Sequence, residues 1–543
     1  MIAVNATLGT GLYWRGGQIL ELGGPLSVLL SFLLPGMLAW AVMQCITELL
    51  CIWPIPGAMQ VYVSEFVDVE LGIAVGVAYW FTYSVSFSAL VATSAAEIHY
   101  WITGNKAFDG GVVYFVIPLT LICVNSLRID IYGWFEVVSS SIKLFFLLVI
   151  ICTMIAINVG DWRQPTGYDT QAATGWFNSL WYVGGVCSMR TDTGLADGNS
   201  MSLSISTFAY VGVEVVAASA LEARWPKNDR RNNMKGSSDR SADHLLIGQT
   251  VKFSAVYIPV LATVAYVLAG VLASFNIRRD DCRLPRLSWV DRVPCNTTLS
   301  PRSAAVPPSS SKVGKTSSAF VAIAEESRIP SLNDVFNVFL VFTALTCACT
   351  NLYVASRSLF GLTTRLDGSE DQPLYLRALA WFGKTDRRKV PMRAMIFSAL
   401  AFCWVPFLQL HDASSDISMA INAAASIRRH RATLEAQKVS QVRRWDRDDS
   451  NDYPYRSHMQ PVLAYMALAG CIFILVVSNS ALMWNGFHAT PFLSTFLLQF
   501  VFLAFWATLK IVRGAKWTWV DLGNADRVVS KIRDLHDIRL GAS

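Results

Sequence analysis

The sequence predicts an all-α membrane protein of about 12 transmembrane helices, and three observations carry that prediction. Of the 543 residues, 53% are hydrophobic and only 15% charged, against roughly 25% charged in a soluble domain. Windows such as Pro25 to Leu50, Phe135 to Ile157, Val251 to Phe275 and Val462 to Trp484 each exceed the roughly 20 apolar residues that span a bilayer core. The basic residues sit in the loops between these windows. The formal charge of +6 therefore marks a lipid bilayer as the partner, and no basic patch for nucleic acid forms.

Taken in order, the spans fall at about 2–20, 26–50, 72–102, 111–126, 134–158, 201–223, 251–275, 333–360, 392–410, 416–427, 461–484 and 491–513. Met1 to Leu20 lacks the basic start and small-residue cleavage site of a signal peptide, so it reads as a span of the mature chain. The tenth segment is short: at about 1.5 Å per residue, Ile417 to Ile427 cannot cross unaided. Charge supports keeping it. With an inside N-terminus, Arg128 and the clusters Arg224–Arg240, Arg365–Arg393 and Arg428–Arg456 all fall inside, and removing the segment would expel the last cluster.

One outer loop departs from this bias, with nine Lys and Arg between Arg278 and Arg328. It also holds the glycosylation sequon at Asn296, beside Cys282 and Cys295, which could close a disulfide in an oxidising lumen. The same sequon pattern at Asn5 lies inside the first span, where glycosylation is excluded by location. Pro301 to Ser318 is a flexible stretch and Lys227 to Asp243 a polar inner linker. Neither is a separate domain. Residues 1–513 form one transmembrane domain, its tenth helix truncated near 411–427, and residues 514–543 a short cytosolic tail.

Polar and small residues within the spans indicate where chemistry sits. The cysteines show no metal-type spacing, and Cys347-x-Cys349 reads as helix packing, as does Gly72-x-x-x-Gly76. No phosphate loop, zinc-type cluster or nucleophile elbow is present, so the sequence calls for no enzyme activity, metal or cofactor. Nothing in it sets an oligomeric state.

The first span reads Gly9-Thr10-Gly11-Leu12-Tyr13, and the span five later reads Phe208-Ala-Tyr210-Val211-Gly212-Val-Glu214. Paired glycine-centred breaks in corresponding spans are the mark of an inverted repeat with a ligand at the midplane. Unwound amides would hold a carboxylate and unwound carbonyls an ammonium, a combination that fits an α-amino acid. Lys143, about nine residues into the fifth span, is too deep to snorkel easily. Glu48 and Glu97 lie near span ends and read as interfacial; Asn351, Tyr353 and Arg357 share the eighth span, with Arg357 near its inner end as an anchor for lipid or a loop.

These motifs, together with Gly23-Gly24-Pro25, Phe66-Val67-Asp68, Gly72 to Trp80, Tyr353 to Leu362 and Tyr453 to Gln460, resemble the fungal amino-acid permeases of the amino acid–polyamine–organocation superfamily over nearly the whole chain. The resemblance implies a LeuT-like five-plus-five (5+5) inverted repeat with helices 1 and 6 broken, plus two extra C-terminal helices, importing amino acids with protons at the plasma membrane or an endomembrane. It implies that Thr10 and Gly11 contact the substrate carboxylate, with Thr7 also on the binding surface. Tyr210, Val211 and Gly212 offer carbonyls to the ammonium, and Phe208 gates the site. Lys143 occupies the place that a sodium ion takes in related carriers, in a proton-coupling role or in a static pair. Glu214 is a gating or proton-linked group, or a protonated packed one. Members of this family carry a cytosolic tail before the first span, so the start at Met1 leaves a misassigned start codon open. A nutrient sensor on the same fold and a transport-defective product stay open beside the importer.

Overall fold

The computed structural model describes residues 1–55, 57–101, 109–159, 203, 205–219, 239–277, 284, 318–327, 329–364, 366, 369, 371–386, 390–403, 461–478, 489–515, 517–520 and 530–535. The described residues are helical with no strand among them, as apolar segments in lipid must be, since a helix satisfies its own backbone. The expected tenth segment at 411–427, Asn296, Cys282 and Cys295 lie outside the described residues.

The chain opens with a short helix, α1 (Ile2–Thr7), followed after Leu8 and Gly9 by α2 (Thr10–Ile52). Within α2, Gly24 has φ 76° and ψ −173°, a conformation glycine adopts freely, and Pro25 starts the next helical stretch with its φ already preset. The Gly-Gly-Pro of the sequence is thus the turn between the first two spans. Next come α3 (Ala58–Phe66), α4 (Val69–Ile98), a π-helical stretch Asp109–Val116 running into α5 (Ile117–Asn125), and α6 (Ile129–Val159).

The second half of the chain supplies α7 (Val215–Ser219), α8 (Asp239–Asn276), α9 (Ala319–Glu326), α10 (Leu332–Thr363), α11 (Leu374–Phe382) and α12 (Met392–Ala401). The described helices end with α13 (Val462–Phe473) and α14 (Ala489–Val512). Among the described residues, five helical windows are long and apolar enough to cross a membrane: Gly24–Ile52, Val69–Ile98, Ile129–Val159, Val251–Asn276 and Leu332–Thr363.

The most extensive packing joins α2 to α8 and α4 to α10, so α10 is the most enclosed of the long helices. By contrast α6 and α8 carry outward rows such as Trp134, Phe145, Leu148, Phe253 and Tyr257, which suit a lipid-facing surface. The short helices α3, α9 and α11 lie where the sequence suggests only loops. α3 packs on α4 because Gly72 and Gly76 present no side chain to it: a Cβ on Gly72 would come within 2.5 Å of Ser64, and one on Gly76 within 2.1 Å of Gln60. Glu48 and Glu97, expected at the interface, are instead fully enclosed; beside Glu97, Asn337 of α10 donates to its backbone carbonyl (2.9 Å).

A buried ionic knot ties α14 to the start of α4. Asp68 caps α4 through Leu71 N (3.1 Å) and accepts from Lys510 Nζ (2.6 Å) and Trp506 Nε1 (3.0 Å); Lys510 also lies 3.4 Å from Glu70. Burial alone would raise the Asp68 carboxyl, but these hydrogen bonds outweigh it and hold it below the usual carboxylate range. Beyond the knot the chain returns to the same turn: Val520 N donates to Val67 O (2.9 Å), and Lys531 pairs with Glu65 (2.7 Å).

Removing Lys510 leaves two acidic groups without their buried cation, a loss of about 3–5 kcal/mol. Lys510→Ala should therefore melt at clearly lower temperature in detergent than the parent. A midpoint unchanged within error would show that the knot adds nothing.

Candidate functional site

The first break follows from glycine and from helix ends. α1 stops at Thr7, Gly9 N turns back onto Thr7 O (2.8 Å), and α2 starts at Thr10. The last carbonyls of α1 therefore lack intrahelical donors. Other elements meet them. Lys143 Nζ, 1% exposed on α6, donates to Asn5 O at 2.9 Å. Cys347 Sγ on α10 lies 3.2 Å from the same oxygen and 3.3 Å from Nζ. The Tyr266 hydroxyl on α8 reaches Thr7 O.

The second break spans Ala209 to Glu214. Here Val211, Val213 and Val215 N donate to Phe208, Tyr210 and Gly212 O at 3.2–3.3 Å, an open i to i+3 turn with long bonds. Gly212 has φ 108°, which a side chain rarely permits. The carbonyls of Tyr210 and Gly212, expected to be open to a ligand, already accept these weak turn bonds.

The two breaks touch. A Cβ on Gly11 would lie 2.6 Å from Ala209 Cα, and one on Gly212 2.9 Å from the Ala6 carbonyl carbon. Tyr266 spans the contact, its hydroxyl also within 3.0 Å of Ala209 O. The structure thus brings Thr7, Gly11, Tyr210, Val211 and Gly212 together, with the breaks closed on each other. Thr7 directs its hydroxyl to Ala3 O (2.7 Å), and Tyr210 sends its own to Phe32 O (2.5 Å). Both polar tips are engaged within the helices.

Phe208 is half-buried, with the Arg15 guanidinium 5.4 Å from its ring centre. Glu214 is buried and doubly held: the Tyr83 hydroxyl donates to Oε1 (2.7 Å) and Gly212 N to Oε2 (3.2 Å). Its two oxygens therefore tie α4 to the backbone of the second break.

Sequence reading missed Glu136. It is completely buried and accepts from Asn5 Nδ2 (2.7 Å), Thr350 Oγ1 (2.9 Å) and the Tyr132 hydroxyl. A signal was available: Tyr132, Glu136, Ser140 and Lys143 recur at helical spacing on α6 and form one polar buried stripe. Tyr266 was missed as well, one aromatic residue in an apolar window. Cys347-x-Cys349 packs as expected, with added polar contacts: Cys347 to Lys143 and Asn5, and Cys349 accepting from Asn125 Nδ2 (3.1 Å).

With this geometry in view, the family can be decided. The model of the amino acid permease family matches residues 1–231 and 248–521. The chain belongs to the amino acid permease family. It is an integral, multi-pass membrane transporter and not an enzyme. Relatives include the dicarboxylic amino acid permease of Saccharomyces cerevisiae, 24% identical across 95% of this chain and 76% of the relative. The basic amino-acid permease of the same yeast is 24% identical across 98% of this chain and 83% of its own. The yeast SPS-sensor component SSY1 is also 24% identical, across 93% of this chain and 60% of the relative.

A methyl group at Gly212 would meet both backbone strain of about 1–3 kcal/mol and the Ala6 backbone. Gly212→Ala should lower the melting midpoint of this permease in detergent, while Gly133→Ala, which meets nothing within 4 Å, should not. Equal effects of the two substitutions would refute the close contact between the breaks.

Proposed function

We propose that this chain imports amino acids across the plasma membrane by proton symport with alternating access, on a 5+5 inverted repeat of about 12 helices with helices 1 and 6 broken. The observation that carries the reading is the meeting of the two breaks, with Lys143 donating to a carbonyl that the first break leaves exposed. Packing of α2 on α8 and of α4 on α10 supports the repeat, since these pairs are the second and third spans of one half with their counterparts in the other.

In this mechanism the substrate enters when Gly11 parts from Ala209 and Gly212 from Ala6. Amides at Thr10 and Gly11 take the carboxylate at the positive end of α2, and carbonyls of Tyr210, Val211 and Gly212 take the ammonium. Phe208 covers the site from one side and the Tyr83–Glu214 contact closes it from the other. The amino acids named for the relatives, dicarboxylic and basic, set the first substrates to try.

Lys143 is the proton-coupling group. When charged, it holds α1 to α6 and α10 through Asn5 O and Cys347; loss of its proton to the inner water removes the charge assistance of the bond to Asn5 O and loosens α1. The test is uptake of tritiated aspartate, glutamate, arginine and lysine by a permease-deficient fungal cell, with and without a protonophore. Uptake that collapses with the protonophore is expected, and none of the four entering despite surface expression would sink the importer reading. Lys143→Ala should flatten the pH dependence of uptake; an unchanged profile rules out its coupling role.

The likeness to the SPS-sensor component SSY1 favours a second reading, an amino-acid-sensing receptor on the same fold. Amino-acid-dependent signalling without uptake would select it over transport.

A further inference from the structure

Tyr266 on α8 stands where the two breaks turn carbonyls toward each other, and the import cycle above gives it no task. The side chain is completely buried. Its ring is held from two sides, edge-on to Tyr210 with centroids 5.3 Å apart and tilted against Phe32 at 5.7 Å. From this fixed ring the hydroxyl reaches Thr7 O, at the end of α1, and Ala209 O, at the start of the second break (3.0 Å).

Both carbonyls lack the donor that a continuous helix would bring them. α1 stops at Thr7, whose oxygen receives only the tight return of Gly9 N from its own chain (2.8 Å). An i to i+3 turn would bring the Gly212 amide to Ala209 O, but that amide goes to Glu214 Oε2 (3.2 Å). Among the described residues, the donor that reaches Ala209 O is the Tyr266 hydroxyl. By contrast, the carbonyls of Tyr210 and Gly212 already accept bonds of their own turn.

The donor count decides what this contact can do. A phenol carries one proton, so it serves one of the two carbonyls at a time. A substrate ammonium carries three donors and a full charge, and serves both at once with stronger bonds. The hydroxyl thus fills, with one neutral donor, a place that a cationic donor would fill better. Around it the breaks close backbone to backbone, Gly11 on Ala209 and Gly212 on Ala6, a packing that leaves no room for an amino acid between them.

We propose that Tyr266 is an internal stand-in for the substrate ammonium: its hydroxyl bridges the carbonyls of Thr7 and Ala209, so the two breaks can close with no amino acid between them and the unloaded carrier can return. The inference rests on the transport reading above and deepens it. Net import needs an unloaded return in every cycle, and exchange of one amino acid for another does not. Without a donor, the two carbonyls would have to be withdrawn from water unpaired when the unloaded breaks close. An arriving ammonium competes with the phenol for the same two oxygens and displaces it.

The test separates the two modes of transport. Reconstituted protein is given whichever of tritiated aspartate, glutamate, arginine or lysine it moves, and is assayed for net uptake into vesicles without amino acid and for exchange into vesicles preloaded with the same one. Tyr266→Phe keeps the ring and removes the donor. Net uptake should fall about tenfold, the weight of one hydrogen bond, while maximal exchange stays within about twofold. Half-saturation for exchange should fall, because the competing donor is gone; a merely structural lesion would raise it. Tyr266→3-fluorotyrosine strengthens the donor and should raise the ratio of net uptake to exchange, and it carries the test should Tyr266→Phe fail to fold.

Equal losses in both modes, unchanged net uptake, or a raised half-saturation for exchange would overturn the stand-in while leaving transport intact. A ratio unmoved by fluorination would overturn it equally. If the parent protein moves none of the four amino acids, the transport reading falls and the stand-in falls with it.

Discussion

The site depends on how the six-residue helix Ile2–Thr7 is held. A helix this short has almost no stability of its own, since nearly all its backbone groups lie within the unsatisfied ends. In lipid those groups must find partners. Two helices supply them: on one stripe of α6, Glu136 takes the Asn5 side chain and Lys143 takes the Asn5 carbonyl, while Tyr266 on α8 takes the Thr7 carbonyl. α1 is therefore positioned by polar groups rather than by its own length.

The same logic explains why the second break is built differently. The segment from Ala209 to Glu214 is closed by its own carboxyl group, which accepts from Gly212 N, and by Tyr83 from α4. One break is therefore held by a lysine on a neighbouring helix and the other by a carboxyl group on its own chain. Tyr266, reaching Thr7 O and Ala209 O from α8, couples them, so neither backbone can open alone without disturbing the hydroxyl that serves both.

How much of this was legible in the sequence follows from range. Span positions were readable because apolar length is a local property, and the breaks were readable because glycine marks backbone freedom where it stands. Lys143 was readable because a charge deep in an apolar window is conspicuous. Glu136 was not, because it stands close to a span end where a carboxylate looks interfacial; only its partners, at residues 5 and 350, reveal it as buried. The contact of Arg357 with Tyr353, and the stack of Tyr353 on Tyr132, likewise join residues more than 200 positions apart and leave no local mark. The short helices α3, α9 and α11 escaped because each is too brief for periodicity to separate from a loop.

Arg357 and Lys143 also belong to one physical column. The guanidinium lies on Tyr353, Tyr353 on Tyr132, and the Tyr132 hydroxyl meets Glu136, which holds Asn5 beside Lys143. Every step is a direct contact, and the column runs from half-buried Arg357 to the first break without passing through the second. Arg357 at one end and Lys143 at the other thus share one set of contacts across α10 and α6, so a displacement of either is felt along the same side chains.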